Sequence, residues 1–255
     1  MLLVRHGEIY TKSEFVRKQF IKRLVDNLRL ALPGVKIEAK RWRILIHNDS
    51  EEAIDALKHA FGVVSFSKAV ETKPVLKEII EAVDEFIPAK GSFAIDTKRI
   101  DKNFPLTSQE VNEKIGEHVL EKNPLLKVDL KKPGTKIGVE ILKDSAFVFS
   151  DFFQGPGGLP LGSAGLRLKC SFENDFDLAA AWMMMKRGVI VVPFNEKLKK
   201  WSYGFTEGKA VGKVIGCLSV EDFIEKQKKS DMVLFAPLIG LTEKEVEELL
   251  ERVLN

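Results

Sequence analysis

Residues 166–194 read LRLKCSFENDFDLAAAWMMMKRGVIVVPF. Leu166–Ser171 is a strand, Phe172–Asp175 a polar turn and Phe176–Arg187 a helix. Gly188 is placed to end that helix in the left-handed conformation that glycine adopts freely. The apolar run Val189–Phe194 suits a parallel strand buried on both faces. Strand, turn, helix and strand in this order open a doubly wound α/β domain.

Working outward, Gln154–Ser163 holds six Gly or Pro in ten positions, so a linker is expected over 154–165. Downstream, Met232–Ala236 reads as a last strand. Pro237 follows, then a helix from Thr242 whose capping box is closed by Glu245.

The front of the chain reads differently. Residues 1–5 form a short strand, and Thr11 with Glu14 has capping-box spacing for a helix ended by Pro33-Gly34. Val35–Lys40 and Arg43–His47 are strands. Asn48 with Glu51 suggests a second capped helix to about Ala60, and Val63–Val70 is a strand. The order β-α-β-β-α-β is that of a ferredoxin-like unit. Pro74 suits the first turn of a helix reaching Ile87. Ser92–Lys98 is a strand, Thr107 with Glu110 caps a helix to Lys122, and strands follow at 127–130, 136–142 and 145–152. The expected domains are therefore 1–72, 73–153 and 166–255, with α+β character in front and α/β behind.

Composition excludes several classes. The 255 residues are 45% hydrophobic and 30% charged, as in ordinary globular chains. No apolar run approaches the ~18–20 residues of a membrane span, and no signal-peptide pattern opens the chain. Cys170 and Cys217 form no CxxC, and His6, His47, His59 and His118 show no metal-ligand spacing. A reduced, cytoplasmic protein without a metal site is expected. Residues 1–72 carry 13 Lys/Arg against 9 Asp/Glu, while the remainder is near balance, so a polyanion would meet the front.

Three stretches could carry chemistry. Lys98, Arg99 and Lys102 with Phe104 put cations and an aromatic at a strand end, suited to phosphates and an unstacked base; charge alone favours a solvated loop with Phe104 in a core. Lys131-Lys132-Pro133-Gly134 is a basic turn, and Arg17, Lys18 and Lys22 fit a solvated helix face. The turn after Ser171 offers orphan N–H groups, but it has no glycine and bears Glu173, Asp175 and Asp177, which favours a helix cap over a phosphate cradle.

The segment from Phe93 through Lys98-Arg99, Lys102, Phe104-Pro105, Thr107-Ser108, Gly116, Asp129-Leu130, Pro133 and Gly138–Ile141 resembles a THUMP domain, a tRNA-binding module of RNA-modifying enzymes. Around it, Arg5-His6-Gly7-Glu8-Ile9, Gly157–Gly165 (the pattern G-G-L-P-x-G-S-x-G), Met185–Gly188 and Pro237–Glu245 resemble the tRNA 4-thiouridine synthases, or tRNA sulfurtransferases, also labelled thiamine-biosynthesis proteins. The resemblance implies a ferredoxin-like unit, a THUMP domain and a shortened ATP-pyrophosphatase domain. It turns Lys98, Arg99, Lys102, Phe104, Lys131, Lys132, Lys12, Arg17 and Lys18 into candidate RNA contacts. If ATP with Mg is retained, it would lie against Lys169, Cys170, Ser171, Asp175, Pro193, Phe194 and Gly216.

The departures matter. The family's S-G-G-x-D-S loop is here Ser171-Phe172-Glu173-Asn174-Asp175-Phe176, one residue longer before the helix and without its glycines and closing serine. Its G-E-x-L-G-Q segment corresponds to Gly216–Glu221, which keeps the first glycine. The stretch between Phe194 and Gly216 is short, and no sulfur-carrying rhodanese extension follows the last helix. The expectation is a tRNA-binding protein whose adenylation site is impaired or lost, with no cofactor. Rival expectations are an active enzyme fed by an external sulfur donor and a non-RNA assembly or sensor module. A homodimer and a catalytic partner are compatible further associations.

Overall fold

Two serines, not the residues expected, start the first two helices of the computed structural model, which describes residues 1–7, 13–40, 42–203 and 208–254. The front runs β1 (Leu2–His6), α1 (Glu14–Ala31), β2 (Ile37–Ala39), β3 (Ile44–Ile46), α2 (Glu51–Lys58) and β4 (Val63–Lys68). Ser13 accepts from the Val16 N–H and Ser50 from the Ala53 N–H, so each satisfies an orphan donor of its first turn. Asn48 therefore does not cap α2, and Thr11 lies outside the described residues.

The strand expected over Val63–Val70 breaks at Ala69. Beyond it β5 (Val70–Thr72) joins a second sheet. Pro74 precedes the cap residue Val75 and stands outside α3 (Leu76–Val83). There follow β6 (Ser92–Arg99), α4 (Ser108–Lys122), β7 (Lys127–Val128), β8 (Thr135–Ile141), β9 (Ala146–Phe149) and β10 (Phe153–Gln154). The Thr107–Glu110 capping box forms reciprocally, at 3.2 and 2.7 Å. The second sheet has the order β5-β9-β8-β6-β7, with β6 parallel to both neighbours. Ile79, Val83, Phe93, Val111, Ile115, Val119, Ile137 and Val139 form its core.

The last third runs β11 (Arg167–Lys169), α5 (Asp175–Lys186), β12 (Ile190–Val192), α6 (Lys199–Ser202), β13 (Gly212–Val214), α7 (Val220–Lys229), β14 (Leu234–Phe235) and α8 (Glu243–Leu254). Its sheet is wholly parallel in the order β12-β11-β13-β14, as a doubly wound domain requires. Gly188 takes φ +81° just past α5, and the Thr242–Glu245 box opens α8. Phe61, from the front of the chain, stacks on Trp201 and meets Trp182 edge-on inside this core.

The chain forms two compact units. One is Met1–Leu3, Leu45–Asp49 and Phe66–Phe153; the other is Val4–Ile44, Ser50–Ser65 and Gln154–Asn255. Within the second, the Gly/Pro-rich segment is a bonded strap. Gly155 N–H donates to Val64 O at 2.9 Å, Gly157 N–H to Val63 O at 2.7 Å and Leu159 N–H to Lys186 O at 2.9 Å. The fully buried Asn27 of α1 donates its Nδ2 to Leu161 O at 3.0 Å. No helix among the described residues is long and apolar enough to cross a membrane.

Candidate nucleic-acid interface and nucleotide cleft

The basic stretch at the end of β6 splits into two kinds of residue. Lys98 and Lys102 are exposed and make no ion pair among the described residues. Arg99 is half-buried, and its Nη1 donates to Phe104 O at 3.1 Å and Leu106 O at 2.7 Å. It holds the 100–106 loop. Phe104, expected as a candidate stacking surface, is instead buried in the core with Ile79 and Val111, so its ring offers no free face.

Lys131 and Lys132 are exposed side chains on a turn fixed by Asp129, whose carboxylate accepts both of their N–H groups at 3.0 Å. Those bonds hold the Asp129 carboxyl below its ordinary range. This turn follows β7, which pairs with the start of β6, whereas Lys98 lies near its end. Six strand residues separate the two levels, roughly 20 Å at about 3.3 Å per residue. The fold therefore presents the two basic groups apart.

On α1, Arg17 lies over the Trp42 ring at 4.7 Å, and Lys18 pairs with Glu14 at 3.2 Å. Both line a groove of about 580 Å³ with Lys22, Arg29 and Lys40. Asp26 neutralises part of it, pairing with Lys22 at 2.7 Å and Arg29 at 3.5 Å. Lys12 lies outside the described residues.

At the carboxyl ends of β11, β12 and β13 a cavity of about 420 Å³ gathers Lys169, Cys170, Ser171 and Pro193, together with Lys213. Ligands of open α/β sheets bind at such strand ends. Gly216 lines a neighbouring cavity of about 390 Å³ with Asn174, Asp177 and, again, Lys213. Two expected residues stand apart. Asp175 is exposed and paired with Lys197 at 3.1 Å, and Phe194 lines neither cavity. Lys213 and Asp177 line these cavities without any sequence signal for a ligand role. Lys213 sits in a three-residue strand with no motif to mark it.

The thiols are poor nucleophiles. Burial pushes the Cys170 thiol up to about 12, and its Sγ contacts Asp177 O at 3.6 Å. Burial also raises Cys217. Both stay protonated near neutrality, and the thiolate is the reactive form. No group of three or more His, Cys, Asp or Glu among the described residues could hold a metal ion.

The profile of the ThiI ferredoxin-like domain matches residues 1–67, and that of the THUMP domain matches 71–151. A probable tRNA sulfurtransferase of Thermococcus kodakarensis is 34% identical over 258 residues, covering 90% of this chain and 67% of the relative. One from Caldanaerobacter subterraneus is 38% identical, covering 86% and 58%. The chain thus spans about three-fifths to two-thirds of the length of these curated relatives. Among solved structures, PH1313 from Pyrococcus horikoshii superposes with a TM-score of 0.80 at 30% identity, covering 99% of this chain and 98% of the other. A 4-thiouridine synthetase, solved with RNA and ATP, shares the fold at a TM-score of 0.77 and 23% identity, covering 99% and 84%. Identity at this level across the ferredoxin-like unit, the THUMP domain and the parallel sheet makes the chain a member of the tRNA sulfurtransferase family.

Proposed function

We propose that the protein binds tRNA through exposed cations of its front half, and that its parallel-sheet domain is impaired in ATP-dependent adenylation. In this reading the ferredoxin-like domain spans 1–72, the THUMP domain 73–153, the strap 154–165 and the nucleotide-domain relative 166–255. One observation carries the tRNA reading. Lys98 and Lys102 stand exposed, with no ion pair among the described residues, at one sheet end of a region matching the THUMP domain. The synthetase sharing this fold was solved with RNA, which supports the same partner. Lys131, Lys132, Arg17 and Lys18 supply further cations. Each phosphate contact releases counterions, so binding weakens as salt rises.

Impairment is supported by the turn between β11 and α5. Family chemistry adenylates a uridine oxygen and then replaces that oxygen with sulfur. Stabilising the departing pyrophosphate needs donors aimed at its charge. Here Phe172 and Glu173 stand where the family has small residues, and the two protonated cysteines leave sulfur delivery to an external donor. The cavity with Lys169 and Lys213 favours a second reading, an active enzyme fed by such a donor.

Fluorescence anisotropy of labelled tRNA at two salt concentrations, with and without ATP, tests both. Salt-sensitive binding unchanged by ATP is expected. ATP-dependent appearance of thiouridine would establish the second reading. No binding at low salt would refute both and leave an assembly module.

A further inference from the structure

We infer that Asp177 is a resident anion: its carboxylate fills the place at the N-terminus of α5 where the phosphate chain of a nucleotide would dock. The inference rests on reading residues 166–255 as a nucleotide-domain relative, and it names why ATP phosphates do not fit.

The N-terminus of a helix leaves backbone N–H groups without partners and favours negative charge there. In α5 that demand is met from inside the chain. Asn174 Oδ1 accepts the Asp177 N–H at 3.0 Å. The Asp177 carboxylate then turns back, accepting the Glu173 N–H on Oδ2 at 3.0 Å and the Gly216 N–H on Oδ1 at 2.7 Å. One carboxylate thus ties the turn after β11 to the loop after β13. It is buried, and both of its oxygens are engaged.

Space is closed as well as charge. A Cβ on Gly216 would lie 2.2 Å from the carbonyl carbon of Phe176 and 2.5 Å from the Asp177 nitrogen, so the two backbones are in direct contact. Phe172, in the left-handed region at φ +53°, packs against the core where a glycine would leave the turn open. Glu173 and Asp175 add negative charge at the mouth. The flanking cavity keeps Lys169 and Lys213, so a nucleotide there would meet two cations but no helix terminus.

The test uses the full chain. In a 15N-labelled sample titrated with millimolar inorganic pyrophosphate, the Glu173 and Gly216 amide signals are expected to stay in place. Saturable movement of both would overturn the inference without any variant. Asp177→Ser removes the carboxylate and leaves both N–H groups free. Its Tm should fall, and pyrophosphate should raise it by several degrees while leaving wild type unmoved. Equal responses in the two proteins would again overturn it. If Asp177→Ser does not fold, Asp177→Asn, which keeps one acceptor oxygen, takes its place in the comparison. Measuring tRNA binding on the same wild-type sample separates the readings. Moving amides with intact tRNA binding sink only this inference, whereas silent amides with no tRNA binding sink the tRNA reading.

Discussion

Arg99 belongs to a basic cluster, yet its geometry is that of a clasp. Replacing it with alanine removes the Nη1 bonds to Phe104 O and Leu106 O, at 3.1 and 2.7 Å. A hydrogen bond from a charged donor contributes ~1.5–3 kcal/mol. One nitrogen shared between two carbonyls delivers less than twice that, so a loss of about 2–3 kcal/mol is expected. At roughly 2–4 °C per kcal/mol for a chain of this size, Tm should fall by about 5–10 °C. Arg99→Lys keeps the charge but not the fork and should recover only part of it. The double variant Lys98→Ala, Lys102→Ala should stay within ~0.5 kcal/mol of wild type, because both side chains are exposed. Its signature is electrostatic: losing two phosphate contacts lowers the salt slope by up to about 1.8 for a duplex. Its deficit in tRNA affinity should therefore shrink by roughly 12-fold between 50 and 200 mM salt. Thermal unfolding followed by circular dichroism, beside anisotropy with tRNA, reads both quantities. If Arg99→Ala melts within a degree of wild type while losing as much salt-dependent binding as a lysine variant, the clasp assignment is wrong.

Three further outcomes are expected. Phe61→Ala should cost ~3–5 kcal/mol and red-shift tryptophan emission, because Trp182 and Trp201 lose the ring they pack on; unchanged emission would contradict that packing. Asn27→Ala should lower the urea midpoint by an amount equivalent to ~1–3 kcal/mol, since Leu161 O loses its buried donor. His6 is pushed down to about 4 by burial, then by Arg43 and Arg17, so it is neutral in the fold. The unfolded chain takes up that proton below its ordinary 6.5, so stability is full above pH 6.5 and falls as pH drops towards 4, by up to about 3 kcal/mol. A His6→Gln variant should lack that portion of the slope; an identical pH profile would remove His6 as its source.

Local signals were the most legible part of the molecule. Thr107 with Glu110, Thr242 with Glu245 and Gly188 act within one helical turn, and each stands where its spacing put it. The parallel sheet followed from its strand–helix–strand order. What local reading missed depends on which way a side chain turns. Phe104 lies between Lys102 and Pro105 and could be read either way, and the packing of the core decides for the buried reading. Glu173, Asp175 and Asp177 look alike as acids near a helix start, yet Asp177 alone is buried, because the Gly216 N–H waits behind it. The helix α7 has no buried residue, although Val220, Phe223 and Ile224 give it an apolar stripe and Phe223 packs against the cluster of Ile215, Cys217 and Leu234. The bonds of the 154–165 segment are likewise not legible in composition, which reports what glycine and proline permit, not which carbonyls they reach.

The strap also changes how the chain is to be cut. Gly155 N–H bonds to Val64 O, and just beyond them Phe66 and Phe153 stack at 5.1 Å. The polypeptide therefore departs at residue 65 and returns at 154 through neighbouring points. Along the chain, 66–153 is an insert whose ends are held together, and the unit it builds also takes in Met1–Leu3 and Leu45–Asp49. The loop-closure entropy of that long excursion is met by strand pairing in the host rather than by the insert's own contacts. Recombination at 154–165 would sever the host in two, whereas lifting out 66–153 would cut β4 after Ser65 and strip Met1–Leu3 and Leu45–Asp49 of the rest of their unit.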